Sequence, residues 1–132
     1  MTNVYEQLGV KTIISVAGTS TRVGGALMPP EVVTAMSEAS KASASMTDLQ
    51  AAASRFIANI TGAEAGYVTS GASASLTLGA AAILAKLDPG LMERLPDTSG
   101  MKNEFIVSRE HRNGYDHSIR VAGGKFVEVV MN

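Results

Sequence analysis

The segment 64–87 (EAGYVTSGASASLTLGAAAILAKL) constrains the fold more than any other part of the chain. A short apolar run at 66–69 leads into small hydroxyl and glycine residues, and 72–87 is then almost wholly Ala, Leu, Gly and Ile. This pattern predicts a strand that turns directly into a helix over 72–87. The helical part is too short and too interrupted by Gly and Ser for a membrane span.

The same alternation continues to the end of the chain. Further strands are predicted at 104–108 and 125–130, a further helix at 114–122, and a loop at 88–103, where Pro89, Gly90 and Pro96 act as breakers. Strand–helix–strand–helix–strand order predicts an α/β fold with a mostly parallel sheet and right-handed crossovers. A sheet that stops after about three strands is incomplete, so the second region, 46–132, is expected to be the beginning of a larger domain.

The first region, 1–45, is predicted to form an N-terminal arm and a first helix. A strand or extended arm is expected at 11–17, a Gly-rich loop at 18–28, and a helix that opens at Pro29-Pro30. The second region then begins with a helix, for which Thr47 and Gln50 fit a capping box and Gly62 suits the C-terminal end.

Composition excludes several classes of function. The chain has no Cys, so disulfides, thiolate zinc sites and a Cys nucleophile are excluded. A formal net charge of -1 gives no reason to propose a nucleic-acid or membrane partner. The first residues lack the pattern of a signal peptide, and a cytoplasmic protein is therefore expected.

The turn between 66–69 and the following helix is a candidate anion site. The first N–H groups of a helix lack intrahelical acceptors, and the helix dipole is positive there, so a phosphate can dock on them. Gly71 would let the backbone approach a ligand, and Ser70, Ser73 and Ser75 could add hydroxyl donors. Helix capping and close helix–sheet packing explain the same residues equally well. Neither a Walker loop nor a dinucleotide fingerprint is present.

A second polar cluster, 108–117 (SREHRNGYDH), follows the predicted strand 104–108 and contains both histidines of the chain. Ligands in open α/β sheets bind beyond the carboxyl ends of the strands, so His111 and the 69–73 turn can face one crevice. The alternative for His111 is a loop histidine without chemistry. His117 fits a helix-surface residue, and the spacing of the two histidines does not favour a metal pair.

Arg22 is the third candidate. It lies in the Gly- and hydroxyl-rich loop 18–25, where a guanidinium could clamp a carboxylate or phosphate. A solvated loop arginine explains it as well.

Together these segments resemble the N-terminal part of fold-type I pyridoxal-phosphate (PLP) enzymes. The resemblance is to the group of selenocysteine synthase (L-seryl-tRNA(Sec) selenium transferase) and D-glucosaminate-6-phosphate ammonia-lyase. It covers nearly the whole chain, through GVKTIISVAGTSTRVGGALMPPEVVTAM, DLQAAASRFIANITGAEAGYVTSGASASLTLGAAA and SREHRNGYDHSIRVAGGKFVEV. It implies the start of the large domain of a PLP-transferase (aspartate aminotransferase-like) fold.

The resemblance also implies roles for individual residues. Those expected to hold the cofactor phosphate are Ser70, Gly71, Ala72 and Ser73. The Glu110-His111 pair matches the family's pair after the next strand, so His111 is expected to stack on the pyridine ring and to assist proton transfer as the catalytic residue. Thr19 and Arg22 match the opening arm and are weaker substrate-binding candidates. A small-molecule substrate and a homodimer or higher oligomer are implied, and no metal.

The chain departs from this family in one respect. PLP catalysis needs a lysine for covalent attachment and an acid partner for the pyridine nitrogen. None of Lys11, Lys41, Lys86, Lys102 and Lys125 lies in the expected setting. The chain is therefore expected to be an N-terminal fragment of a lyase or transferase acting on an amino acid or amino sugar acid. The alternatives are a small phosphate-binding module, or a non-catalytic remnant completed by a partner chain.

The absence of a lysine in the expected sequence context can be tested directly. The purified 132-residue chain, incubated with PLP and reduced with borohydride, is expected to retain no stoichiometric pyridoxyl chromophore after unbound cofactor is removed. Absorbance and intact mass measure the outcome. A retained band with one pyridoxyl group per chain would show that one of the five lysines attaches the cofactor.

Overall fold

The computed structural model describes residues 3–16 and 18–130. The chain forms two compact units, Met1–Ser45 and Met46–Asn132. Each unit is described separately below.

The described residues of the first unit form two α-helices and one short 3-10 turn. Helix α1 (Val4–Gln7) begins with a capping box, in which the Asn3 side chain accepts from the Tyr5 amide and the Glu6 side chain accepts from the Asn3 amide. Helix α2 (Pro30–Ala39) starts with proline in its first turn, as predicted. No strand forms within 11–16, and Ala17, the last residue of that predicted strand, lies outside the described residues.

The described residues of the second unit form three helices, followed by a strand, a helix and a second strand. Its elements are α3 (Met46–Thr61), α4 (Ala72–Ala85), α5 (Pro89–Arg94), β1 (Glu104–Ser108), α6 (Asp116–Val121) and β2 (Lys125–Val129). The two strands pair in parallel, with register running from Glu104 opposite Lys125 to Ser108 opposite Val129. The predicted α/β fold with the start of a parallel sheet is therefore confirmed, together with both of these strands and the helices at α4 and α6.

The strand predicted at 66–69 does not form, because no strand among the described residues lies beside it. Helix α3 takes the place of that neighbour. The Gln50 amide nitrogen donates to the Val68 carbonyl at 2.7 Å, and the Val68 N–H donates to the Gln50 amide oxygen at 3.1 Å. One turn further along α3, the Ser54 hydroxyl accepts from the Gly66 N–H at 3.1 Å. Side chains thus satisfy main-chain groups that a β-ladder would otherwise satisfy.

Two other local predictions are wrong. The capping box at Thr47 and Gln50 does not form, because α3 already begins at Met46 and the Gln50 side chain is bonded to Val68. The loop predicted at 88–103 contains α5, whose N-cap Asp88 accepts from the Gly90 and Leu91 amides. An acidic cap followed by proline starts a helix here.

The core of the second unit is small. Ala80, Leu84 and Ala122 are its buried members, and the half-buried side chains packed around them are Ala81, Leu95, Met101, Phe105 and Ile119. Among the described residues no large side chain is completely buried. Small side chains therefore set a short distance between α4 and α6.

Gly123 and Gly124 allow the turn after α6 to approach its neighbours closely. A Cβ on Gly124 would lie 2.7 Å from the Ile119 side chain and 2.8 Å from the Phe105 ring. Gly123 has φ +98, and its Cβ would lie 2.4 Å from the Pro96 carbonyl oxygen. The Gly123 carbonyl also accepts from the buried Thr98 hydroxyl at 2.9 Å. This turn therefore has no room for a side chain.

Gly123→Ala is expected to lower the free energy of unfolding by about 2–4 kcal/mol, since overpacking and a positive φ both oppose the methyl group. Urea denaturation measures the change. Gly114→Ala is the matched control, because its Cβ would meet no atom within 4 Å. Equal stability of the two variants would contradict this account of the turn.

Candidate functional site

The first turn of α4 is an open end of a helix. Gly71 precedes it with φ 143, a conformation that favours glycine, and a Cβ there would meet nothing within 4 Å. No side chain caps this helix, whereas Asn3 caps α1 and Asp88 caps α5. The first intrahelical bond runs from the Ser75 N–H to the Gly71 carbonyl. Within the described residues, the N–H groups at 72–74 therefore have no acceptor and are available to an anion.

The hydroxyl groups around this turn are mostly engaged within the protein. The Ser73 hydroxyl lies 2.6 Å from the Ser118 hydroxyl, and the Ser75 hydroxyl lies 2.7 Å from that of Thr69. Ser70 is exposed, and its hydroxyl bonds to no other described residue. Of the hydroxyls considered as donors, only that of Ser70 is thus free for a ligand, whereas Ser73 and Ser75 bond inside the protein.

His111 ends a short 3-10 turn, Arg109–His111, directly after β1. It is exposed, and its carbonyl accepts from the Asn113 side-chain amide at 3.0 Å. Beside it, the Ser108 hydroxyl donates to the Glu110 carboxylate and holds the pKa of that carboxyl below its usual range. His111 is therefore exposed in the turn that follows the carboxyl end of β1.

An ion-pair cluster anchors the loop after His111. Arg112 bonds to Asp116 at 2.5 Å and also to Glu128 on β2, and its guanidinium lies 4.9 Å from the centroid of the Phe126 ring. The hydrogen bond from Arg112 lowers the pKa of Asp116, and the same bond raises the pKa of Arg112. Sequence reasoning did not single out this cluster. The four-residue spacing of Arg112 and Asp116 was a usable signal, but Glu128 is remote in sequence.

One contact joins the first turn of α4 to α6, the helix in which the second predicted cluster ends. Ser73 belongs to the first turn of α4, Ser118 belongs to the first turn of α6, and their hydroxyls are bonded. Further along both helices, Ala80 and Leu84 pack with Ala122, so the two helices run in the same direction. The loops that precede them, one with Gly71 and one with His111, therefore lie at the same end of this helix pair.

The remaining candidates are Thr19 and Arg22. Thr19 and Arg22 belong to the first unit, where both are exposed. Arg22 lies in a 3-10 turn, Thr21–Val23, and lines a surface hollow that also includes Tyr5 and Lys11. His117 is exposed on α6. No group of three His, Cys, Asp or Glu residues within 3–16 and 18–130 could hold a metal ion. No helix of those residues has the length and apolar character that crossing a bilayer requires.

Comparison with known proteins identifies relatives of the whole described fold. D-glucosaminate-6-phosphate ammonia lyase from Salmonella typhimurium (strain 14028s / SGSC 2262) is 36% identical over 131 residues, covering 96% of this chain and 36% of that enzyme. A 5'-C-glycyluridine monooxygenase-decarboxylase from Streptomyces sp is 33% identical over 130 residues, covering 95% of this chain and 33% of that enzyme. The solved structure of D-glucosaminate-6-phosphate ammonia-lyase matches with a TM-score of 0.94 and 35% identity, over 98% of this chain and 36% of that chain. No protein-family model matches.

The chain spans about a third of the length of the curated relatives it matches. It is homologous to part of D-glucosaminate-6-phosphate ammonia lyase. The resemblance found in the sequence is confirmed at the level of this group.

The Asp116 carboxylate is expected to make stability depend on pH. Because its folded-state pKa is depressed, it stabilises the fold above its unfolded-state pKa of about 3.9, and this contribution disappears as pH falls through the lower folded-state value. The difference in unfolding free energy between wild type and Asp116→Asn should therefore be largest near pH 7 and shrink below about pH 4. Urea midpoints across this range measure it.

Glu93→Gln is the matched control for this titration, because the Glu93 side chain is exposed and forms no ion pair with another described residue. The difference in unfolding free energy between Glu93→Gln and wild type should stay constant over the same pH range. A constant difference for Asp116→Asn as well would show that the ion pair with Arg112 does not form in solution.

Proposed function

We propose that this chain supplies the phosphate-binding turn and the ring-stacking histidine of a PLP-dependent lyase or transferase. The observation that carries the proposal is the uncapped first turn of α4, whose free amides begin at Ala72 and lie at the same end of the helix pair as the loop that carries His111. Relatives named as an amino sugar acid lyase and a decarboxylase support an enzyme acting on an amino acid or amino sugar acid.

The donor set of this chain fits the phosphate end of the cofactor. A phosphate dianion needs several N–H donors and a positive dipole, and the first turn of α4 offers both. The open space at Gly71 allows close approach, and the free Ser70 hydroxyl can donate one further bond. Ser73 contributes its main-chain amide, since its hydroxyl is bonded to Ser118. When bound, PLP supplies an electron sink for the substrate's α-carbon.

His111 is proposed to stack on the cofactor ring and to hold or move a proton beside it. Its backbone is held on the C-terminal side, because the Asn113 side-chain amide donates to its carbonyl and the side chain of the next residue, Arg112, pairs with Asp116 and Glu128. The side chain itself is exposed. A fixed backbone with a free imidazole suits a group that must meet a planar ligand at a defined angle.

The proposed enzyme also needs groups that have not been described so far. The lysine that attaches the cofactor and the acid partner of its ring nitrogen are not assigned to any described residue. Thr19 and Arg22 are proposed as substrate contacts, and a homodimer is proposed as the active assembly. The protein is proposed to act in the cytoplasm.

Binding of PLP to the chain itself tests the phosphate turn. The chain is expected to bind PLP weakly and reversibly, with Kd on the order of 1 mM, and pyridoxal, which lacks the phosphate, at least about tenfold more weakly. Ala72→Asp should abolish PLP binding, because a carboxylate would occupy the helix end and repel the phosphate. The same change should leave stability equal or raise it by about 0.3–1 kcal/mol. Titration calorimetry and urea denaturation measure the two effects.

Ala52→Asp is the control, since Ala52 is exposed in the middle of α3. It should bind PLP as wild type does. Equal affinity for PLP and pyridoxal would contradict the proposal that the first turn of α4 binds the cofactor phosphate. Unchanged PLP binding by Ala72→Asp would contradict it as well. Equal affinity for PLP and inorganic phosphate would favour the alternative of a general phosphate-binding module.

A further inference from the structure

The loop between β1 and α6 contains the only Asn-Gly pair of the sequence, Asn113-Gly114. Both residues are exposed. In such a pair the main-chain nitrogen of the glycine can attack the side-chain amide carbon of the asparagine, because the glycine has no side chain to hinder the approach. Neither residue is among the cofactor or substrate contacts proposed above. The chemistry of this pair is therefore a separate property of the chain.

The Gly114 nitrogen is available as the nucleophile. Its N–H bonds to no other described residue. A Cβ on Gly114 would meet no atom within 4 Å, so the space beside this residue is open. The next two main-chain N–H groups, those of Tyr115 and Asp116, both donate to Asn113. Of the three N–H groups that follow Asn113, only the one that must attack its side chain is thus without an acceptor in the described part of the chain.

The Asn113 side chain is folded back toward the peptide unit that follows it. Its Oδ1 accepts from the Tyr115 N–H at 2.8 Å, which is the hydrogen bond of an Asx turn. Its Nδ2 donates to the His111 carbonyl at 3.0 Å. An N–H donor on a carbonyl oxygen stabilises the negative charge that develops there during nucleophilic attack. The bond from Tyr115 therefore both orients and polarises the group that is attacked.

We propose that Asn113 is a site of spontaneous deamidation, which converts it to aspartate and isoaspartate with water as the only co-reactant. A bond forms between the Gly114 nitrogen and Asn113 Cγ, and the bond from Cγ to Nδ2 breaks. The Gly114 proton passes through water to Nδ2, which leaves as ammonia, and the product is a five-membered succinimide. Water then opens this ring, at Cγ to give aspartate or at the main-chain carbonyl carbon to give isoaspartate. No group is oxidised or reduced.

Deamidation removes the hydrogen bond that holds the main chain of His111. A carboxylate at position 113 can still accept from the Tyr115 N–H, but it has no N–H to donate to the His111 carbonyl. It also adds a negative charge three residues before Asp116. In isoaspartate the peptide bond runs through the former side chain, so the main chain between β1 and α6 becomes one carbon longer. The modification therefore changes the loop that carries His111.

Peptide mapping by mass spectrometry measures the loss of each side-chain amide when the 132-residue chain is incubated in mildly alkaline buffer. Asn113 is expected to react at least about tenfold faster than Asn103. The half-buried Asn103 donates to the Thr98 hydroxyl at 2.7 Å and is followed by Glu104, whose side chain hinders attack. An isoaspartyl methyltransferase with a labelled methyl donor should label the incubated chain at position 113. Equal rates at the two asparagines, or no label, would overturn the proposal.

Gly114→Ala is the matched variant, because the added methyl group meets no atom within 4 Å and Gly114 has no positive φ. The fold should stay intact, while Asn113 deamidates at least about tenfold more slowly than in wild type, since the methyl group hinders ring closure. In wild type, the rate at Asn113 in the folded chain should stay within about tenfold of the rate in urea. Equal rates for wild type and Gly114→Ala, or much stronger protection by folding, would contradict the proposal. These assays contain no PLP, so their outcome is independent of the proposed cofactor site.

Discussion

The hydroxyl pair of Ser73 and Ser118 is the contact on which the candidate site depends. It joins the first turns of α4 and α6 at 2.6 Å, and the Thr77 hydroxyl adds a second bond to the Ser118 carbonyl at 3.1 Å. Only small residues permit helices to approach this closely, and Ala80 and Ala122 continue the same seam with 2% and 4% exposure. Because both helices start at this contact, the two loops that precede them lie at the same end of the helix pair.

In the second unit, the sequence predicted the helices and strands that have a regular apolar pattern of their own. The apolar runs that form β1 and β2 and the helices α4 and α6 were predicted correctly, because each carries its own apolar pattern. The segment 66–69 has the same composition but no ladder, since pairing needs a neighbour that the described residues do not contain. Gln50 is a second case in which a local pattern did not predict the contact that forms. Its spacing from Thr47 fits a cap, yet its side chain bonds to Val68, which is distant in sequence.

The candidate site was predictable in its backbone and less so in its side chains. Glycine and small residues between a strand-like run and a helix are compatible with an open helix end, and Gly71 has a backbone conformation that favours glycine. The partners of individual hydroxyls could not be predicted, because Ser118 lies 45 residues beyond Ser73. The anchoring of the His111 loop was missed for the same reason, since Arg112 reaches Glu128 on β2.

These contacts explain why so many hydroxyl residues cluster where the chain enters an apolar helix. Two of these hydroxyls bond within the protein, since the Ser73 and Ser75 hydroxyls each bond to another hydroxyl. The first main-chain amides cannot be satisfied in this way, since no carbonyl precedes them in the helix and no side chain caps them. The Ser73 and Ser75 hydroxyls therefore serve the fold, and the donors that remain free are the Ser70 hydroxyl and the amides that follow Gly71.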